Sequence, residues 1–154
     1  MEVIRSASTD ADFARARALF EEYAAELGVD LCFQGFPTEL AELPGKYAPP
    51  RGVLFIVLDD GAPIACGALR NLGELACELK RIYVRPSHRG TGLGRRITVD
   101  LMQRAKDIGY SIVRLDTLGK LTAAQSLYRS LGFREVDPFN LDPGLGIVYF
   151  ERPI

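Results

Sequence analysis

The stretch from Arg81 to Arg96 constrains the fold of this chain more than any other segment. An alternating apolar run ends at Pro86, and three glycines at alternate positions then lead directly into a helical pattern. Glycine lets backbone N–H groups approach an anion closely, and a helix start adds unpaired donors and the positive end of the helix dipole. The segment therefore predicts a strand, a tight turn and a helix that together can bind phosphate.

The same segment carries a local excess of positive charge. Six Lys and Arg side chains and no carboxylate lie from Lys80 to Arg96, whereas the whole chain has a net charge of −1. A purely structural turn needs no such charge, so the pattern favours a ligand site. A dinucleotide-binding fold is the rival interpretation, and Asp116 lies about 20 residues further on, as that fold requires. However, the spacing here is G-x-G-x-G after several strands, and the G-K-[ST] of a Walker loop is absent.

Composition limits the class of protein. A chain of 154 residues with 47% hydrophobic residues fits one core, so we expect residues 1–154 to form a single domain. The near-neutral charge argues against nucleic-acid binding, and the longest apolar run, 53–58, is too short to span a bilayer. Cys32, Cys66, Cys77 and His88 lack metal-ligand spacing, and no signal or lipidation pattern is visible. We interpret the chain as a cytoplasmic protein with free thiols, without a metal or a membrane partner.

The apolar pattern predicts a mixed sheet flanked by helices. Thr9 and Asp12 resemble a capping box, and apolar residues then recur at helical spacing until Gly28. A strand, a helix and a strand over 75–117 predict a parallel crossover, whereas the hairpins predict antiparallel pairs. The predicted elements are strand 2–5, helix 10–27, a short helix near 38–43, strands 53–58, 63–70 and 75–84, helix 91–108, strand 112–117, helix 122–131, and strands 133–136 and 146–151.

Strand 75–84 is expected to be the longest strand, and its two faces carry different chemistry. Side chains on a strand alternate between faces. Strict alternation gives two sets, which are Ala76, Glu78, Lys80, Ile82 and Val84 on one face, and Leu75, Cys77, Leu79, Arg81 and Tyr83 on the other.

Three motifs in this part of the chain resemble those of the GNAT acetyltransferase superfamily. Residues 89–94, Arg-Gly-Thr-Gly-Leu-Gly, are similar to its [Q/R]-x-x-G-x-[G/A] signature. Residues 84–86 resemble the V-x-P exit from the family's central strand, and residues 124–133 resemble its second motif, A-x-x-L-Y-x-x-x-G-F. The motifs occur in the family's order and on the expected elements. One departure is Leu121, since the second motif often begins with Asn at that position.

The resemblance implies a fold and a cofactor. The fold would be an α/β domain with a mixed, mostly antiparallel sheet of six to seven strands, splayed at the central strand and flanked by helices. The cofactor would be acetyl-coenzyme A. The residues implied are Ile82, Tyr83 and Val84 for its pantetheine arm; Arg89, Gly90, Thr91, Gly92, Leu93, Gly94 and Arg95 for its diphosphate; and Arg96 and Arg129 for its nucleotide phosphate.

The resemblance also implies direct acetyl transfer to an amine, without a covalent enzyme intermediate. Such chemistry needs a free amine, a stabilised oxyanion and a proton for the departing thiolate. Glu78 would act as general base, Tyr128 as general acid, and a backbone N–H of the central strand would stabilise the oxyanion. The residues alone leave two alternatives open, which are a salt bridge between Glu78 and Lys80 and a packing role for the Tyr128 ring.

The acceptor pocket is expected where the irregular segment 32–50 meets the last strands, with Phe33 and Tyr47 as acceptor-binding candidates. The sequence equally allows these rings only to pack a loop onto the domain. We predict a primary amine of a small-molecule or amino-acid-like acceptor. Alternatives are a protein or peptide amine, and a non-catalytic module that senses coenzyme A. A homodimer is compatible with the sequence, and His88 is interpreted as a solvated loop residue.

Overall fold

The computed structural model describes residues 1–28, 30–31, 34–139 and 146–154. Among these residues, no helix combines the length and the apolar composition that a membrane crossing requires. The elements follow the order predicted from the sequence, but β3, with 12 residues, is longer than β4, with nine. Their bounds are β1 (Glu2–Ser6), α1 (Asp10–Leu27), α2 (Phe36–Glu42), β2 (Val53–Asp59), β3 (Ala62–Gly73), β4 (Ala76–Val84), α3 (Leu93–Ile108), β5 (Ile112–Leu118), α4 (Thr122–Ser130), β6 (Arg134–Val136) and β7 (Ile147–Pro153).

The strands of the described residues form one seven-stranded sheet in the order β1-β2-β3-β4-β5-β7-β6. All neighbouring strands are antiparallel except β4 and β5, which are parallel and are connected through α3. These two strands pair only over 76–78 and 112–114 and then diverge. The mixed, mostly antiparallel sheet with a splay after the fourth strand is therefore confirmed.

Helix α1 begins and ends as its sequence predicts. The Asp12 amide donates to Thr9 Oγ1 at 3.1 Å, and the Asp12 carboxylate accepts from the Thr9 amide at 3.4 Å. This reciprocal pair is the predicted capping box. Gly28 ends the helix with a φ of 69°, a left-handed conformation that glycine adopts without a steric penalty.

Apolar side chains pack on both faces of the sheet. On one face, α1 contributes Ala16, Leu19 and Phe20 to a cluster that contains Ile56 of β2. On the opposite face, α3 contributes Ile97, Leu101 and Ala105 to a second cluster. Two covered faces explain why β2 reads as a nearly continuous apolar run rather than an alternating one.

Strand β4 contains a bulge that changes which face its side chains occupy. Arg81 has a φ of 58°, and the register between β3 and β4 shifts at this point. Cys77 and Leu79 pack on the α3 side, but Ile82 and Val84 pack on that side as well. The predicted strict alternation is therefore wrong beyond residue 80, because a bulge adds one residue to one strand of a pair. As a result, Lys80 and Arg81, though consecutive, both contact residues of segment 34–39.

Candidate functional site

A groove of about 350 Å³ follows the edge of β4 where β5 diverges from it. One wall is the C-terminal part of β4, and the others come from the end of α1, the turn before α3 and the start of α4. The predicted cofactor-binding residues that line this groove are Ile82, Tyr83, Val84, Arg89, Gly90, Gly92, Leu93 and Gly94. Because an unpaired strand edge presents free N–H and C=O groups, the groove can bind an extended polar chain.

The turn before α3 presents a row of backbone donors. Among the described residues, no acceptor is present for the amides of residues 90–95, whereas the Arg89 amide donates to the Pro86 carbonyl and the Arg96 amide to the Gly92 carbonyl. Gly90 and Gly92 have φ values of 78° and 83°, which favour glycine at both positions. Free amides at a helix start form an anion-binding site, so this turn fits a phosphate group.

The arginines around the turn are mostly neutralised by carboxylates from distant parts of the chain. Arg95 differs from them, because its Nη1 donates to Ser130 Oγ at 2.9 Å and no carboxylate among the described residues pairs with it. The local excess of positive charge that the sequence indicated is therefore largely neutralised in the folded chain. The pairs are Arg81 with Glu39, Arg85 with Glu22, Arg89 with Glu26, and Arg96 with Glu2.

Arg89 fastens the turn to the end of β4. Its Nε donates to the Val84 carbonyl at 2.8 Å, its Nη2 donates to Glu26 at 2.7 Å, and its guanidinium lies over the Tyr83 ring. The Val84 carbonyl is thus occupied by a side chain. Arg89 shapes the groove through its side chain, and its amide does not belong to the free row.

Two predicted phosphate-binding side chains lie away from the groove. Arg96 Nη1 is 3.3 Å from Glu2 Oε1, across the sheet edge on β1. Arg129 Nη2 is 3.1 Å from Glu135 Oε1, and its guanidinium lies over the Phe150 ring. The structure therefore does not bring Arg96 and Arg129 together with the turn.

A smaller cavity of about 60 Å³, the splay cavity, lies between the diverging β4 and β5. It adjoins the groove, since Tyr23, Ile82, Leu121 and Ala124 line both. The other residues that line it are Leu79, Lys80 and Arg81 of β4, Leu115, Asp116 and Thr117 of β5, and Tyr128 of α4.

Tyr128 packs into the core and also faces the splay cavity. Its ring packs against Phe133 and Phe150, with centroids 6.0 and 6.2 Å apart, and it also lines the splay cavity. Among the described residues, no hydrogen-bond partner of its hydroxyl is present. Burial raises the pKa of Tyr128 well above its ordinary value, so the hydroxyl is protonated at neutral pH.

Glu78 lines neither the groove nor the splay cavity. Its side chain is fully buried, and its Oε1 accepts from Arg70 Nε at 2.7 Å. Lys80 Nζ is 3.9 Å from the same oxygen. The salt bridge that the sequence left open as an alternative is therefore present, but Arg70 rather than Lys80 is the close partner.

Sequence reasoning missed three residues that face the splay cavity. Tyr23 resembled one more apolar position of α1, and burial raises its pKa to about 12. The sequence suggested Asp116 only as the acidic residue of a dinucleotide-binding fold. Lys80 shares its predicted strand face with Glu78, and this proximity was the one signal that could have drawn attention to it.

Three other residues that the sequence singled out are Tyr47, Phe33 and His88. Tyr47 is fully buried against Phe20 in the α1-side core and lines neither the groove nor the splay cavity, so the structure does not bring it together with the other predicted site residues. Phe33 lies outside the described residues. His88 is not a solvated loop residue, because its Nε2 is 3.1 Å from Asp59 Oδ2 and it lines the groove.

The thiols of Cys66 and Cys77 are free and buried. Burial raises the pKa of both, in the case of Cys77 to about 12. Since the thiolate is the nucleophilic form, these buried cysteines are core residues rather than nucleophiles. Cys32 lies outside the described residues.

Comparisons with known proteins converge on one family. The model of the acetyltransferase (GNAT) family matches residues 12–133. An uncharacterized N-acetyltransferase of Schizosaccharomyces pombe is 39% identical over 135 residues, which cover 86% of this chain and 83% of the relative. A crystal structure of an acetyltransferase from Streptococcus agalactiae superposes with a TM-score of 0.83 at 19% identity, over 99% of this chain and 98% of the other. A proposed acetyltransferase of Salmonella typhimurium, solved with its cofactor acetyl-CoA, gives a TM-score of 0.73 at 20% identity, over 99% of this chain and 94% of the other.

Proposed function

We propose that this chain, which belongs to the GNAT family of acetyltransferases, transfers an acetyl group directly to the primary amine of a small-molecule or amino-acid-like acceptor in the splay cavity. Family membership makes the chain an N-acetyltransferase whose acetyl donor is acetyl-coenzyme A. The nature of the acceptor and the roles of individual residues are our proposal. The observation that carries it is the continuous path from the free amides of residues 90–95, along the open edge of β4, to Tyr128.

The groove has the chemistry that acetyl-coenzyme A requires. The free amides of residues 90–95 would hold its diphosphate. The open edge at Ile82 and Tyr83 would bind its arm as an added strand does. Leu121 and Leu127 offer apolar contact from α4, and Leu121 replaces the amide that the family often has there. When bound, the donor supplies an activated acetyl thioester next to the splay cavity.

We assign proton donation to Tyr128 and proton acceptance to water in the open groove. In the overall reaction an N–C bond forms, a C–S bond breaks, and the acceptor ammonium loses its protons. Tyr128 holds a proton beside the splay cavity and would give it to the leaving sulfur, and the second proton of the acceptor nitrogen, released as the N–C bond forms, would restore the Tyr128 hydroxyl. Arg70 closes off Glu78, so the acceptor ammonium loses its proton to water rather than directly to that carboxylate. Glu78 is then the buried partner of Arg70 and does not touch the acceptor.

The small size of the splay cavity supports a small acceptor. About 60 Å³ is available between Tyr23 of α1 and the diverging strands. A compact amine can enter such a space, whereas a protein acceptor would have to insert one extended side chain. A small molecule therefore fits this cavity best.

Replacing Tyr128 by phenylalanine tests the proposal. The Tyr128→Phe variant is expected to lower kcat by about 100-fold, because it removes a general acid and keeps the ring. Its dissociation constant for acetyl-coenzyme A should change by less than about twofold, since the turn and the β4 edge are unaltered. The measurement is release of coenzyme A thiol in the presence of a library of amines, together with calorimetric binding of the donor.

Tyr110→Phe is the matched control, since the Tyr110 hydroxyl donates to the Arg51 carbonyl and does not line the groove or the splay cavity. Its turnover should equal that of the native protein. Equal turnover of Tyr128→Phe would remove Tyr128 from the mechanism. Binding of acetyl-coenzyme A without thiol release, with every amine tested, would indicate a sensor module instead.

A further inference from the structure

A buried lysine in the wall of the splay cavity has no role in the chemistry above. The Lys80 side chain is only 6% exposed, and its Nζ donates to Gln34 Oε1 at 3.0 Å. An ammonium group can donate three hydrogen bonds. The Glu78 oxygen lies at 3.9 Å, beyond hydrogen-bond distance, and already accepts from Arg70 at 2.7 Å. The Lys80 ammonium therefore has donors left for a ligand.

The neighbouring cations are already committed to carboxylates. Arg81 makes two hydrogen bonds to Glu39, at 2.9 and 3.0 Å, and Lys46 Nζ lies 2.9 Å from the same carboxylate. Of the two cations that line the splay cavity, Arg81 is thus held in a bidentate pair with a carboxylate, whereas the close partner of Lys80 is the neutral amide of Gln34. Burial disfavours the charged form and lowers the pKa of Lys80, although the nearby carboxylates of Glu78 and Asp116 act in the opposite direction. An anion inside the cavity would restore the lost stabilisation.

We infer that the splay cavity selects acceptors that carry a carboxylate close to the reacting amine, and that Lys80 Nζ binds this carboxylate. The inference rests on the proposed function and narrows its acceptor to the α-amino-acid class. Asp116, on the opposite strand β5, lines the same cavity. The cavity is therefore lined by a lysine on β4 and a carboxylic acid on β5.

Matched acceptors test the inference on the native protein alone. A panel of free amino acids is compared with the corresponding amino-acid amides, which keep the amine and the side chain and lose the negative charge. Native protein should acetylate the free acids with a kcat/KM about 10- to 100-fold higher, the range expected for a hydrogen-bonded charge pair. Equal rates, or a preference for the amides, would overturn the inference and leave the proposed function standing.

A Lys80→Met variant assigns the preference to this side chain. It should reduce the preference for acids over amides by at least about tenfold. Calorimetry with coenzyme A present, where no transfer occurs, should show about tenfold weaker binding of the preferred amino acid. If kcat/KM fell equally for acids and amides, Lys80 would act on the amine or on the fold, and the inference would be wrong.

Controls separate the possible causes of failure. Lys106→Met removes an exposed lysine of α3 that does not line the splay cavity and should retain the native preference. Unchanged affinity for acetyl-coenzyme A in Lys80→Met would show that the groove is intact. If neither acids nor amides were acetylated although acetyl-coenzyme A binds, the proposed function would fail, and this inference with it.

Discussion

At the scale of single residues, Arg95 and Arg96 show that adjacent side chains of the same type can differ in what they are able to bind. Both are exposed at the start of α3. Arg96 pairs with Glu2, whereas Arg95 contacts only the neutral hydroxyl of Ser130 among the described residues. A cation without a paired carboxylate can bind a phosphate without first losing a partner.

Replacing each of these arginines by methionine is therefore expected to give different results. Arg95→Met should raise the dissociation constant of acetyl-coenzyme A about tenfold, because a charge-assisted contact is lost. Arg96→Met should change it by less than about twofold, since its guanidinium is already neutralised. Calorimetry on both variants checks this, and equal losses would show that the Arg96–Glu2 pair opens when the donor binds.

Asp12 is a second residue whose role follows from its contacts. Its fully buried carboxylate accepts from Arg5 at 2.6 and 2.8 Å and from the Ser8 amide at 3.0 Å, and these bonds hold its pKa well below the ordinary value. A lowered folded-state pKa means that the stabilisation is complete above the unfolded pKa and is lost as the pH falls towards the folded pKa.

Asp12→Asn should therefore lower the free energy of unfolding by about 1–2 kcal/mol at neutral pH, in the range of a lost helix cap. The difference between native and variant protein should shrink below about pH 4, as the native carboxylate becomes protonated. Urea unfolding at several pH values measures this difference in the free energy of unfolding. Asp10→Asn, an exposed acid in the same helical turn, is the control and should show no such convergence.

At the scale of elements, the sequence predicted where the helices and strands lie better than which faces they present. Gly28 and Gly109 end their helices as predicted, because a left-handed helix end has a strong sequence signal. The bulge at Arg81 has no comparable signal, since a non-glycine residue with positive φ is uncommon.

The ion-pair partners of the arginines near the site could not be predicted from sequence patterns, because they are distant along the chain. Arg85 and Glu22 lie 63 positions apart, and Arg81 and Glu39 lie 42 apart. Local periodicity reports only on neighbours along one element, so the neutralisation of Arg81 and Arg85 could not be anticipated, whereas Arg70 and Glu78 lie opposite each other in the hairpin of β3 and β4. The turn itself was predictable, because its function depends on consecutive backbone groups.

The contact between α2 and β4 gives the prediction at this scale. Glu39 is buried with Arg81, so Glu39→Ala leaves an uncompensated charge in the interior. We expect the free energy of unfolding to fall by about 3–5 kcal/mol. Glu42→Ala, at an exposed position of the same helix, should change it by less than about 0.5 kcal/mol. Denaturant unfolding of the two variants compares them, and similar losses would contradict a specific role for the buried pair.

At the scale of the whole molecule, the two halves of the sheet are joined by only a short stretch of β4–β5 pairing. Residues 76–78 and 112–114 make that connection, and beyond it the groove and the splay cavity separate the strands. A ligand that binds along the β4 edge and touches α4 would bridge both halves. Binding only to the folded state raises stability by mass action.

Acetyl-coenzyme A at about 100 times its dissociation constant should therefore stabilise the protein by about 2.7 kcal/mol. Thermal unfolding with and without the donor measures this effect. A nicotinamide dinucleotide at the same concentration should leave the midpoint unchanged, because the turn lacks the spacing of a dinucleotide fold. Stabilisation by the dinucleotide alone would contradict the assignment of the groove.

The continuity of β4, the turn and α3 affects which acyl donors the protein can use. The strand leads directly into the turn that carries the anion-binding amides, so the length of β4 sets the distance between these amides and the splay cavity. The protein therefore selects its acyl carrier by the length of the arm. A carrier with a shortened arm could place its phosphate at the amides of residues 90–95 or its thioester at the splay cavity, but not both, and it would be a poor donor even though its reactive group is correct.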